Sequence, residues 1–406
     1  MKKFNKNSIV FGFVIIFLMC GFIGKFFVYL RSATIEAAVG VKNGNLDSIS
    51  EFKSNVDKIT SEKLGYHDLL MDVNSVKENL LGTRVIRKPD STIAKTYTDS
   101  LISPAEERID ETEMKRMVGE VDRLKNFAEN SGARFLYFAA PVKEYYTDVI
   151  PSNVKSFQRE NYLDLIEGLR DADVPLVDMA EVFAAQGKSE ESIYFRSDHH
   201  WKPETGFGAY KTLCDELNKR YGFEYISDYL SMDNYDLKTY DDFFLGSYGK
   251  KTGTFFTWQG ADDFDLITPK FETLLTEEQP FKNEKKDGSF EDTVLFKEHL
   301  KKDYYGTNPY DAYCGGDFRL QIVKNRKNPE GAKVLVVRDS FSQVILPFLS
   351  LQTSELHICD VRSDGGYVGE KLNMEKYIRE IDPDYVIVMY SGVSALENDT
   401  FFEGDN

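Results

Sequence analysis

Val334-Leu335-Val336-Val337-Arg338-Asp339-Ser340-Phe341-Ser342 is an apolar run that breaks abruptly into a polar turn. Four consecutive aliphatic residues fit a strand covered on both faces, as in parallel sheets with helices above and below. In such sheets the carboxyl ends of the strands present reacting groups, and Ser340 stands at that position. Phe135 to Ala140 (stopped by Pro141), Pro175 to Asp178, Leu356 to Cys359 and Tyr385 to Met389 read as further strands. Between them, Met117, Val121, Leu124 and Phe127 recur at helical spacing within Met114 to Asn130. Helical stretches are expected at about Glu160 to Arg170, Glu204 to Tyr221 (with Pro203 in its first turn), Ser342 to Leu349 and Leu372 to Arg379. This alternation implies an α/β fold with a mainly parallel sheet. Residues 223–317 break it. They are rich in Tyr, Phe, Asp and Gly, with strand-like pieces such as Phe264 to Thr268, and read as an inserted irregular/β region walling the site.

Composition narrows the function. A chain of 406 residues with 42% hydrophobic content can bury a sizeable core, and its net charge of -17 repels nucleic acid phosphates. Cys20, Cys214, Cys314 and Cys359 are too few and too scattered for a metal cluster or a disulfide framework. Ser8 to Leu30 is apolar except for Lys25, long enough to span a bilayer, and preceded by Lys2, Lys3 and Lys6. That charge bias places the N-terminus in the cytoplasm and the bulk of the chain outside the membrane. A cleaved signal peptide is the alternative, and leads to the same compartment. The expected organisation is a cytoplasmic stub and transmembrane signal anchor over 1–31, an extracytoplasmic stalk over 32–111, and the α/β domain over 112–406.

Two of the five histidines fall in Ser197-Asp198-His199-His200-Trp201-Lys202-Pro203-Glu204-Thr205-Gly206. A serine becomes a useful nucleophile when an imidazole removes its proton and a carboxylate steadies the far nitrogen. Asp198, His200 and Ser340 supply those groups. Asp198 and His200 are two apart, so an extended segment points both to one side and His199 elsewhere. The backbone N–H of Ser340 and the glycine-rich turn Tyr313-Cys314-Gly315-Gly316-Asp317 are candidate donors to an oxyanion. Each piece has a structural reading too: Asp339-Ser340 as a turn with a helix cap, the histidines as hydrogen-bonding residues, Trp201 as core, the glycines as an ordinary turn. An Asp-His-His triplet also occurs in DHH phosphoesterases, but the carboxylate-rich cage their metal needs would have only Asp178 to draw on here. No metal or other cofactor is therefore expected. His67, His299 and His357 read as structural or surface residues.

Asp198-His199-His200-Trp201 with Pro203 and Gly206, followed by Arg338-Asp339-Ser340-Phe341 and Pro347-Phe348-Leu349, resembles the DHHW family of bacterial extracytoplasmic proteins. That family is similar to the SGNH-hydrolase-like domains of the alginate O-acetylation proteins AlgX and AlgJ. The resemblance also takes in Ala139-Ala140-Pro141-Val142-Lys143, Cys314-Gly315-Gly316-Asp317 and Cys359-Asp360-Val361-Arg362. It implies a three-layer α/β/α flavodoxin-like sandwich with Ser340 as nucleophile, His200 as base and Asp198 as its orienter; Asp339, His199 and Trp201 are supporting candidates. It further implies acetyl transfer to a cell-surface polysaccharide, beside a multispanning membrane O-acyltransferase. Arg338 departs from the Lys or Gly often found before Asp-Ser, and no oxyanion asparagine is matched. The competing readings are a carbohydrate acetyl esterase and a non-catalytic glycan-binding or scaffold protein. Phe255, Phe256, Trp258, Tyr304 and Tyr305 are candidates either to stack on sugar rings or to fill the core.

Overall fold

Alternate residues of the central strands enter two separate apolar cores, one on each face of a sheet. Leu136, Phe138, Val334, Val336, Ile387 and Met389 belong to the first, while Phe135, Tyr137, Leu335, Val337, Val386 and Val388 belong to the second. A strand alternates its side chains between faces, so an unbroken apolar run requires cover on both. Each large aliphatic side chain removed from water in this way contributes about 1.5–3 kcal/mol.

In this computed structural model, residues 67–89, 91–147, 150–362, 367–397 and 401–402 are described. The Ser8 to Leu30 segment lies outside them. Among the described residues no helix is long and apolar enough to cross a membrane. The chain divides into two compact units, one ending at Leu80 and the other running from Leu81 to Asn406. The helix His67–Leu80 is the described part of the first.

The second unit opens with a small antiparallel sheet of β1 (Val85–Lys88), β2 (Ser91–Lys95) and β3 (Leu101–Ile102). The remaining strands are β4 (Arg134–Ala140), β5 (Leu176–Asp178), β6 (Tyr235–Phe244), β7 (Asp262–Pro269), β8 (Leu275–Gln279), β9 (Glu284–Gly288), β10 (Leu320–Asn325), β11 (Lys333–Arg338), β12 (Glu355–Cys359) and β13 (Tyr385–Ser391). Eight of them form the main sheet in the order β5-β4-β13-β11-β12-β10-β8-β9. The five from β5 to β12 run parallel. The other three join antiparallel, so the sheet is mixed.

Helices Glu111–Asn130, Gln158–Asp171 and Met374–Ile381 cover one face through Met117, Val121, Leu165 and Ile378. Pro203–Tyr221 lies on the other, with Phe207, Tyr210, Leu213 and Leu217 inward. Pro203 starts it with the fixed φ of a first helical turn, and Gly222 ends it in the left-handed conformation at φ 73°.

The insertion does more than wall the site. It donates β8 and β9 to the main sheet and pairs β6 with β7. The expected helix Ser342 to Leu349 is split into a 3₁₀ turn, Ser340–Val344, and a single α turn, Leu346–Leu349, where Pro347 supplies no amide hydrogen.

Candidate functional site

The segment Tyr194 to Trp201 closes on itself like a hairpin. Tyr194 and Trp201 form an antiparallel bridge, Phe195 N donates to His200 O (3.2 Å), and Lys202 N donates to Ile193 O (2.8 Å). Inside the loop the backbone carbonyls form no regular strand ladder, and a buried lysine serves three of them. Lys143 Nζ donates to the carbonyls of Phe195 (2.6 Å), Arg196 (3.0 Å) and Asp198 (3.0 Å). Burial lowers the pKa of this amine, against the pull of Glu190, Asp262, Glu144 and Asp198. From the other side Asp262 accepts from Arg196 N (3.0 Å) and from Ser197 N (2.8 Å) and Oγ (2.5 Å). β3 adds a further tie, from Leu101 N to Arg196 O at 2.9 Å.

At the tip of this loop Asp198 and His200 meet Ser340. His200 Nδ1 donates to Asp198 Oδ1 at 2.6 Å, and Ser340 Oγ lies 2.7 Å from His200 Nε2, where its hydroxyl can donate. Asp198 Oδ1 also accepts from His200 N at 2.8 Å, and its Oδ2 accepts from Ser247 N. Burial alone would favour the neutral acid. The two imidazoles and these hydrogen bonds outweigh it and hold the Asp198 carboxyl well below the usual carboxylate range. The carboxylate thereby fixes the imidazole tautomer that leaves Nε2 free to accept the serine proton. Ser340 is half-buried, at the end of β11 and the start of the 3₁₀ turn.

His199 lies beside this line. Its ring is 3.8 Å from that of His200, and its Nδ1 is 3.0 Å from Ser247 Oγ. Burial and the neighbouring His200 push its pKa down to about 3. Trp201 joins the loop to the serine turn, since its Nε1 donates to Phe341 O at 2.8 Å and its ring meets Phe341 edge-on. Asp339 anchors that turn to β13: it accepts from Phe341 N (3.0 Å), Ser391 N (2.6 Å) and Ser391 Oγ (2.7 Å).

The glycine turn is tied elsewhere. Gly316 gives its carbonyl to Arg338 Nη2 (2.8 Å), and Gly315, at φ 77°, lies against the Phe296 ring where a Cβ would fall 2.7 Å from its atoms. Among the described residues no hydrogen bond joins either glycine to Asp198, His200 or Ser340. Arg338 is fully buried and pairs with Asp317, which also accepts from Arg362 Nη2 (2.9 Å) and Gln343 Nε2 (3.0 Å). Its place before Asp-Ser is thus explained by a buried ion pair that fixes the turn Gly316-Asp317.

Lys143 closes the motif Ala139-Ala140-Pro141-Val142-Lys143, which gives it no role by itself, and Gly246, Ser247 and Tyr310 lie in no recognisable motif. Gly246 brings its backbone against Asp198, and Tyr310 stacks on His200 with centroids 4.3 Å apart. All three belong to the insertion, and no pattern near them in sequence points to the distant Asp198 segment.

Asp198, His199 and His200 offer ligand atoms within 4.8 Å of one another. Both ring nitrogens of His200 are already engaged, however, by Asp198 and Ser340, so a metal bound there would break the alignment.

Residues 97–228 match the family model described as ALGX, the SGNH hydrolase-like domain of acetyltransferase AlgX. Over those residues the chain is similar to that domain. The resemblance first seen in Asp198-His199-His200-Trp201 is thereby met by an independent comparison, as is the α/β fold. Among solved structures, Bacillus cereus PatB1 is similar to this chain at 20% identity and TM-score 0.62, covering 77% of this chain and 99% of that one. PatB1 with a sulfonyl adduct gives 18% identity, TM-score 0.61 and coverage of 78% and 99%. A DHHW family protein from Eubacterium siraeum gives 17%, 0.56, and 79% and 98%. At these identities the likeness speaks for the fold. No curated protein matches.

Proposed function

We propose that the protein is a membrane-anchored, extracytoplasmic O-acetyltransferase acting on a cell-surface polysaccharide. The observation that carries this reading is the line from Asp198 through His200 to Ser340, with hydrogen bonds of 2.6 and 2.7 Å. His200 takes the proton of Ser340 as Oγ attacks the acetyl carbonyl of a donor ester, and Asp198 stabilises the imidazolium. The tetrahedral intermediate collapses, His200 returns the proton to the departing oxygen, and acetyl-Ser340 remains. A sugar hydroxyl then gives its proton to His200 and attacks the acyl carbon, which releases the acetylated glycan and restores Ser340. Water in place of the sugar gives an esterase. The match to the AlgX acetyltransferase domain supports acyl chemistry, and the apolar Ser8 to Leu30 segment supports the anchor. A multispanning membrane O-acyltransferase is the proposed source of the acetyl group.

The test incubates the full-length protein in detergent with 4-nitrophenyl acetate, with and without an oligosaccharide acceptor. Acetylated oligosaccharide supports the transferase, and release of acetate that the acceptor does not divert supports the esterase. Absence of both, with the protein folded and glycan bound, supports a non-catalytic module. Ser340→Ala and His200→Ala should each abolish turnover while leaving the fold intact.

A further inference from the structure

Of the insertion's aromatic residues offered above as sugar-stacking candidates, Phe256 is core: it is fully buried, and Lys95 Nζ lies over its ring and donates to its carbonyl at 2.6 Å. Two neighbours point the other way. Phe255 is 48% exposed and Trp258 69%. They are joined by Tyr97, which is 55% exposed and comes from outside the insertion. Tyr97 lies in the turn between β2 and β3, where Thr96 N donates to Ser100 O (2.8 Å) and Asp99 N to Thr96 O (3.2 Å). Asp99 in that turn accepts from Trp258 N at 2.7 Å, so the two loops that carry these exposed rings are held together.

Polar groups border these rings. The Arg84 guanidinium lies 4.3 Å from the Tyr97 centroid, Gln259 accepts from Arg196, and the Asp99 carboxylate is at the junction. Rings flanked by hydrogen-bonding side chains match a pyranose, which offers a C–H face to an aromatic plane and hydroxyls around its rim. An apolar helix or lipid tail would strip water from the Arg84 and Asp99 charges beside the rings, which costs free energy.

The patch is built onto the Asp198 segment. Arg196, two residues before Asp198, reaches back to Gln259 and to Ala261 O (3.2 Å), and it receives Leu101 N from the strand that follows the Tyr97 turn. Chain geometry therefore keeps Tyr97 within about 20 Å of Asp198, a span bridged by a few sugar residues. We propose that Tyr97, Phe255 and Trp258 form a glycan subsite that holds the polysaccharide acceptor beside the Asp198–His200–Ser340 line. This rests on the transferase reading for its use, though not for its existence.

The chain has two tryptophans, and Trp201 is fully buried, so emission from the exposed surface reports Trp258. The full-length Ser340→Ala protein in lipid nanodiscs is titrated with two probes, an N-acetylglucosamine hexamer and a mannuronate hexamer. Iodide should quench Trp258, either hexamer should protect it, and Trp258→Phe should remove the signal. In the wild-type background, Trp258→Ala and Tyr97→Ala should each raise KM for the bound hexamer about tenfold, the size of an interface hot spot. Hydrolysis of 4-nitrophenyl acetate should stay unchanged, because that small ester has no use for the subsite. Protection by neither hexamer overturns the subsite whether or not the protein transfers acetyl groups, and where it does transfer them an unchanged KM overturns it as well. Quenching of Trp258 by brominated lipid would overturn it too, in favour of contact with the bilayer. Glycan protection without acetyl transfer would keep the subsite and overturn the transferase reading alone.

Discussion

Gly246 is where a single methyl group should disable the site. Its φ of -71° and ψ of 178° are ordinary for any residue, so alanine adds no backbone strain there. The cost is contact: a Cβ would lie 2.2 Å from Asp198 Cβ and 2.5 Å from Oδ2, whereas ordinary contact begins near 3.4 Å. One of the two must yield by more than about 1 Å. Neither is loose, because Gly246 N donates to Ser197 Oγ (2.9 Å), Gly249 N donates to Ser197 O (2.9 Å), and Asp198 accepts from His200 and Ser247. Overpacking of this kind costs about 1–3 kcal/mol of stability. A displacement near 1 Å at a reacting constellation costs on the order of a hundredfold in rate. Gly246→Ala should therefore melt a few degrees lower and lose about a hundredfold in kcat/KM for 4-nitrophenyl acetate. Gly208, exposed and with nothing within 4 Å of its would-be Cβ, is the control. Gly208→Ala should be neutral in rate and more stable by up to about 1 kcal/mol, as alanine is in a helix. A folded Gly246→Ala protein with wild-type turnover would refute the reasoning, since Asp198 could then move without consequence.

Lys143→Met removes the donor shared by three loop carbonyls and should cost about 2–5 kcal/mol in chemical denaturation; an unchanged midpoint would mean that the loop holds itself. Burial pushes the Glu144 carboxyl up to about 7 from 4.5, against hydrogen bonds that include one from Ser103 N. The folded state then binds this proton more tightly than the unfolded one, so the contribution is complete below pH 4.5 and is lost as pH rises through 7. The stability difference between wild type and Glu144→Gln, measured at pH 4.5 and pH 8, should change by about 3 kcal/mol in favour of the variant at the higher pH, whereas a pH-independent difference would count against a protonated Glu144. Trp201→Phe should lower kcat more than it raises KM and cost about 1–3 kcal/mol, since it loosens the serine turn without touching substrate; a KM effect alone would place Trp201 in the binding surface instead.

The parallel half of the sheet was legible because β4, β11 and β13 are apolar on both faces, a pattern that solvent-exposed strands rarely carry. The antiparallel half was not. β8 and β10 bury Glu277, Gln279 and Gln321, whose side chains hydrogen-bond one another at 2.8–3.0 Å, so polarity there disguised a buried strand. At the site, Asp198 and His200 were visible as near neighbours in sequence, and Ser340 as a strand-end hydroxyl. Their meeting depends on topology that places β11 beside the loop of Tyr194 to Trp201. Lys143, Gly246, Ser247 and Tyr310 act only through such long-range contacts. Their chemistry, a buried amine, a missing Cβ, a backbone N–H and a flat ring, carries no local signature.

The central claim is that Ser340 is an activated nucleophile, and covalent labelling tests it most directly. The full-length protein is treated with a sulfonyl fluoride at neutral pH and its peptides are weighed by mass spectrometry. The account predicts one stoichiometric adduct on Ser340, much slower labelling in His200→Ala, and none in Ser340→Ala. A folded protein whose Ser340 reacts no faster than its other serines would contradict it.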